Sequence, residues 1–102
     1  MRESGSAMSN KKKSIICNDP VCYECGRPQY LQLHHCLHGT ANRTLADEDG
    51  LVVYLCVYCH NRLHDGDTRL DNKLMRVAER AYLETYNKTI PDFIARYGKN
   101  YL

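Results

Sequence analysis

Little net charge, no apolar run of membrane-spanning length and no secretory leader ahead of the cysteines together narrow what this 102-residue sequence can be. Fourteen Lys and Arg against twelve Asp and Glu leave a formal charge of +2, so no broad electrostatic field marks nucleic acid as a partner. The longest uncharged, mainly apolar stretch, Leu51 to Tyr58, falls far short of the roughly 20 residues that a spanning helix needs, so no membrane partner is expected. Without a signal peptide the cysteines are expected to stay reduced, which predicts a soluble, cytoplasmic protein. A chain this short buries only a modest core, and a metal is expected to carry part of the folding free energy. No internal repeat is visible beyond two pairs of cysteines. Residues 1–13 (MRESGSAMSNKKK) lack aromatic and branched apolar side chains and read as a disordered leader, with Met1 to Ala7 like a cloning leader and Met8 as an alternative start. Its three closing lysines suit a solvated tail, with phosphate contact as the alternative.

What the sequence does have is metal-ligand spacing. Cys22 and Cys25 are separated by two residues, as are Cys56 and Cys59, and 30 residues lie between the pairs. Two intervening residues let a tight turn aim both sulfurs at one ion, and four soft thiolates suit tetrahedral zinc. Gly26 fits the first turn because glycine accepts positive φ where backbone N–H groups crowd toward sulfur. Two disulfides are the competing reading, but they leave Cys17 and Cys36 over. Simple zinc ribbons separate their pairs by about 15–20 residues, so something extra is inserted here.

That insert carries His34 and His35, and the second pair runs into His60 and His64. Residues four apart share a helix face one turn apart, so His60 and His64 can chelate one ion. His34 can supply a third imidazole from a strand packed against that helix. Three neutral imidazoles leave coordination positions open, as in a catalytic rather than a structural site, and keep the ion's full charge, whereas four thiolates overcompensate theirs. His35, not consumed as a ligand, is the candidate general base, since imidazole is available in neutral form near pH 7. A regular strand points adjacent side chains to opposite faces, so His34 and His35 reach one site only if the strand bends or ends there. Packed or solvent-facing histidines are the bland alternative, and a second closed zinc site of His34, His60, His64 and Cys36 is another.

Alternation from Leu31 to Cys36 predicts a first strand and the β-branched run Leu51 to Leu55 a second, packed on both sides. The stretch His38 to Gly50, rich in Gly, Asn, Thr and Asp, reads as a loop. A short helix is expected through His60 to His64, ending near Gly66. Apolar residues Leu70, Leu74, Val77, Ala78, Ala81 and Tyr82 recur at helical spacing and predict an amphipathic helix over about Thr68 to Tyr86, capped by Asp67 or Thr68. A further short helix is expected from Pro91 to Tyr97, closed by Gly98. The tyrosines Tyr82, Tyr86, Tyr97 and Tyr101 are expected to pack against the core.

With these segments in place, the paired histidines of HHCLHGTANR, the stretch GLVVYLCVYCHNRLH and the flanking cysteine pairs resemble the HNH endonuclease family, particularly its small zinc-stabilised phage and prophage members. The resemblance covers about residues 20–66, with a weaker likeness in the closing helices and YGKNYL. It implies an α+β chain with a ββα-metal, treble-clef-like core over residues 14–66, a structural zinc held by the four paired cysteines and a helical extension over 67–102. By the same resemblance His34, His60 and His64 would bind the catalytic ion, His35 would activate water, and DNA would be cut to 5′-phosphate and 3′-hydroxyl ends, in a bacterial host cell. The family's Asn sits just before the second strand, where this chain has Asp49-Gly50-Leu51, so Asp49 or Asn42 would stand in for it.

Imidazole donors suit Mn²⁺, Ni²⁺ or Zn²⁺ better than Mg²⁺, and Arg43 or Arg62 could clamp phosphate bidentately, with an ordinary surface arginine as the alternative. A homodimer is compatible with the sequence but not required by it. The rival reading of function is a catalytically silent zinc module that binds DNA or a protein partner, favoured by the altered Asn position and the low net charge.

Overall fold

Leu31–His35 and Val52–Cys56 pair as antiparallel strands β1 and β2 in the computed structural model, which describes residues 14–102. The expected leader 1–13, with Lys11 to Lys13, lies outside the described residues. Four helices complete an α+β chain: α1 (Thr40–Asp49) between the strands, α2 (Val57–His64) directly after β2, then α3 (Thr68–Tyr86) and α4 (Ile90–Tyr97). None is long and apolar enough to cross a membrane.

The pairing register runs from Leu31 opposite Cys56 to His35 opposite Val52, which sets His34 opposite Val53. Four of the five β2 residues are buried, Tyr54 being the exception, as a β-branched apolar run packed on both faces should be. β1 stops at His35, and the Cys36 N–H donates to the Leu51 carbonyl. The strand therefore ends at the pair of histidines, where a shared site requires it to end.

The segment His38 to Gly50 is not a loop. Thr40 to Asp49 is helical, and Gly50 closes the helix in the left-handed conformation, φ 78, that glycine adopts without steric cost. Only Ala46 of α1 is buried, so hydrophobic periodicity carried no warning. What holds this polar helix is a set of tertiary ties. The Asp49 carboxylate accepts from Arg96 Nε at 2.6 Å and from the Tyr97 hydroxyl at 2.6 Å, Asn42 Nδ2 donates to the Tyr97 carbonyl at 3.3 Å, and Tyr86 donates to the Asp49 carbonyl at 2.7 Å. Tertiary contacts override weak helix propensity here.

α3 has the expected limits, with Asp67 as N-cap accepting from the Leu70 N–H and Asn87 as left-handed C-cap. α4 begins on a capping box between Thr89 and Asp92, which satisfies two otherwise orphaned donors. One hydrophobic cluster joins Leu37, Leu51, Val53 and Leu55 to Leu70, Leu74, Ala78, Tyr82, Phe93 and Tyr97. Tyr82, Tyr86, Phe93, Tyr97 and Tyr101 pack ring on ring; Tyr82 and Tyr97 are buried and Tyr101 packs against the core as expected, whereas Tyr86 stays exposed at its edge. Glu79, unexpectedly, is fully buried within α3, and its Oε1 accepts from the Tyr101 N–H at 2.6 Å.

Asp49→Ala should cost about 2–4 kcal/mol, because it strands the half-buried Arg96 and the Tyr97 hydroxyl together. The test is a urea titration in which the midpoint falls while the slope stays fixed; an unchanged midpoint would show that Asp49 does not hold α1 to α4.

Candidate functional site

Two side-chain clusters sit at the two ends of the strand pair. The first is made of sulfur. Cys22, Cys25, Cys56 and Cys59 place their Sγ atoms within 4.8 Å of one another, as a single metal ion needs. Cys25 Sγ lies 3.6 Å from Cys56 Sγ, far beyond a disulfide's roughly 2.05 Å, and all six cysteines are free. The first pair is shaped by a tight turn in which Gly26 N–H donates to the Cys22 carbonyl and Cys22 N–H to the Arg27 carbonyl, both at 2.8 Å. Gly26 has φ +80, as that turn demands. The second pair straddles the β2–α2 junction, with Cys56 as the N-cap of α2.

Burial resists ionisation of Cys22, but donors from the Cys56, Cys25 and Glu24 backbone outweigh it and bring the thiol down to about 6. Cys56 also lies below the usual thiol value, against its burial, through the Cys59 backbone and the Cys25 side chain, whereas burial and the neighbouring sulfurs push Cys59 up. Crowded thiols of this kind lose all their protons only with a cation among them. The donor set fits structural zinc.

The second cluster is a groove of about 480 Å³ lined by His34, His35, His38, Arg43, His60 and His64. The β1–α2 contact brings the His34 and His60 rings edge to face at 5.5 Å between centroids, and His60 meets His64 at 4.8 Å. Burial, with His60 second, lowers His34 to about 4, and burial followed by His64 lowers His60. Both rings are therefore neutral near pH 7, with lone pairs available to a ligand. His34 Nε2 is buried without a hydrogen-bond partner, an orphaned acceptor of the kind that a metal ligand presents before its ion binds. These three imidazoles are of a donor type that divalent ions take, but among the described residues only the four cysteines bring their donor atoms within 4.8 Å of one another.

His35 is held differently. Its Nε2 lies 2.6 Å from the Asp47 Oδ1 of α1. The carboxylate against His35 is thus Asp47, not Asp49 or Asn42, which are both engaged with α4 at Arg96 and Tyr97. The two candidate arginines also part company. Arg43 borders both the histidine groove and the adjoining hollow with His35 and Asp47, whereas Arg62 points away, bonded to Asp67 at 2.8 Å and near Glu24 at 3.9 Å.

Cys36 contributes nothing to the groove: it is fully buried in the core, and desolvation drives its thiol up to about 12. His38 is the groove residue that sequence reasoning missed. Its Nε2 lies within 2.9 Å of both Asp71 oxygens, a tie across 33 positions that no local spacing announces. No family model, curated protein or solved structure matches this chain.

Two outcomes follow. Stripping zinc with a strong chelator, or Cys56→Ser, should abolish the cooperative thermal transition; a chelator-insensitive transition would show that the thiols hold no folding metal. In acid, the unfolded chain protonates His34 near pH 6.5 but the fold resists until about 4. Stability should therefore fall with pH through that window, by up to about 3 kcal/mol. His34→Gln should remove that part of the slope, measured as unfolding free energy against pH beside the wild type.

Proposed function

We propose that this chain is a metal-dependent endonuclease of the HNH, ββα-metal type that hydrolyses DNA phosphodiester bonds. The observation that carries the reading is the meeting, in one groove, of three adjacent imidazoles, His34, His60 and His64, with a fourth, His35, held by a carboxylate instead. An ion bound by those three imidazoles would supply Lewis-acid stabilisation of the charge that develops on the phosphate and the departing oxygen.

The rest of the chemistry belongs to this chain's own groups. Asp47 engages His35 at Nε2, which leaves Nδ1 to accept the proton of the attacking water. Once that proton has moved, the imidazolium is stabilised by the same carboxylate, the role an aspartate plays behind a catalytic histidine elsewhere. Asp47 thus takes the orienting part that Asp49 or Asn42 was expected to fill. Arg43, at the rim beside both residues, offers a planar fork to non-bridging phosphate oxygens. The site presents one base and one ligand set, so it cuts one strand per engagement.

The spacing of the imidazole donors favours a second reading, in which a zinc-held module of the same shape binds DNA or a protein partner without cutting. Plasmid nicking with Mn²⁺, Ni²⁺, Zn²⁺ and Mg²⁺ separates the two. Wild-type protein should nick, with Mn²⁺ or Ni²⁺ matching or exceeding Mg²⁺. His35→Ala should lower the rate by about 100-fold or more with fold and DNA affinity retained, and Asp47→Asn by about 10- to 100-fold. Absence of nicking with every ion would leave the binding module.

A further inference from the structure

We infer that an exposed cationic ridge on α3, formed by Arg69, Lys73, Arg76 and Arg80, is a docking surface for the phosphate backbone of duplex DNA, separate from the histidine groove. All four residues are exposed and lie within one helix. At about 100° per residue, the positions four, seven and eleven beyond Arg69 fall within an arc of about 60°, so the four side chains form one strip about 16 Å long. That length covers about five phosphates of one strand at roughly 3.4 Å per base pair. Glu84, the next residue in line, bounds the strip.

The ridge has few local counter-charges. Lys73 meets Glu24 at 2.6 Å, and Arg62, at the ridge's edge, is engaged by Asp67. Arg69 has only the nearby Asp67, whose carboxylate it helps to hold down. Arg76 and Arg80 make no ion pair among the described residues. With Arg62 counted in, five cations face the three carboxylates of Glu24, Asp67 and Glu84, a local surplus of two. Outside this patch the described residues carry more acids than bases, so among them positive charge is concentrated here. Arg62, Arg69, Lys73 and Arg76 line a shallow hollow floored by the buried Leu70, a surface suited to a backbone lying along it.

Position separates this surface from the chemistry. His60 contacts His34 on one side of α2, while Arg62 contacts Asp67 and Glu24 on the other. Ridge contacts should therefore set affinity without touching the scissile phosphate, as phosphate contacts position a duplex without reading it.

The choice of DNA as the polyanion rests on the endonuclease reading, and the experiment keeps the two apart. Binding of a fluorescein-labelled mixed-sequence duplex is measured against salt for the wild type, for a triple variant Arg69→Gln, Arg76→Gln, Arg80→Gln, and for its Lys counterpart. Lys73 is left to pair with Glu24. The Gln variant should bind about 10- to 100-fold more weakly at low salt, with a salt slope smaller by about 2 to 3. The Lys variant should bind like the wild type, and kcat at saturating DNA should be unchanged in both. Wild-type affinity in the Gln variant overturns the inference, as does equal loss in the Lys variant, since an electrostatic backbone contact needs the charge. Tighter ridge-dependent binding of polyglutamate than of the duplex overturns it too, by assigning the ridge to an acidic protein. Steep, ridge-dependent binding without nicking by any ion would sink the endonuclease reading and leave the ridge; nicking with ridge-independent binding would do the reverse.

Discussion

Four sulfur atoms within 4.8 Å of one another constrain everything else in this molecule. Cys56 ends β2, caps α2 and faces Leu31 across the strand pair. Its position fixes the start of the helix and the register of the strand pair at one point. Three steps along β1 from Leu31 lies His34, and four residues along the chain from Cys56 lies His60. Because Cys59 must turn toward the cluster, the rotation of α2 about its axis is set, and His60 is delivered against His34, with the exposed His64 beside it one turn on. A metal bound by thiolates at one end of the strand pair would thus decide which imidazoles meet at the other, and its binding free energy would offset the ordering of a segment that has little apolar surface to bury.

α1 makes a second division of labour. Asp47 and Asp49 are two residues apart on a helix, so they face roughly opposite directions. One engages His35 and the other engages Arg96 and Tyr97. In a loop that distinction does not exist, and a linear reading had no basis for preferring either. Asp49 sits just before the second strand, where the resembling family has its Asn, and so was one of two expected stand-ins, yet its surroundings are those of a structural anchor. Burial, followed by the hydrogen bond to Asp49, holds the Tyr97 hydroxyl well above the ordinary phenol range.

Legibility in the sequence followed the physics of each element. Metal-ligand spacing, the β-branched run of β2 and the apolar period and caps of α3 are local patterns, and each appears in place, including the end of α3 at Asn87. The α1 helix was illegible because one buried alanine carries no period and its stabilising bonds come from residues 37 to 55 positions away. The His38–Asp71 pair and the buried Glu79 belong to the same class. Long-range polar ties leave no trace in hydrophobic spacing. Arg43 and Arg62 looked equivalent as isolated cations, and only their surroundings in the fold tell them apart.

Low net charge, read as a single number, says nothing of how the charge is distributed. Among the described residues, bases gather in a strip on α3 while the rest carry an excess of acids. Neutral, desolvated imidazoles such as His34 suit coordination because they do not repel a divalent ion, and for the same reason they contribute little attraction to a polyanion. Attraction then has to come from permanent cations placed where they cannot compete with the ion. α2 provides that separation, with histidines toward β1 and Arg62 toward Glu24 and Asp67. The proposed endonuclease would so hold DNA with one set of charges and act on it with another, and a small, nearly neutral chain would need no general excess of basic residues to do both.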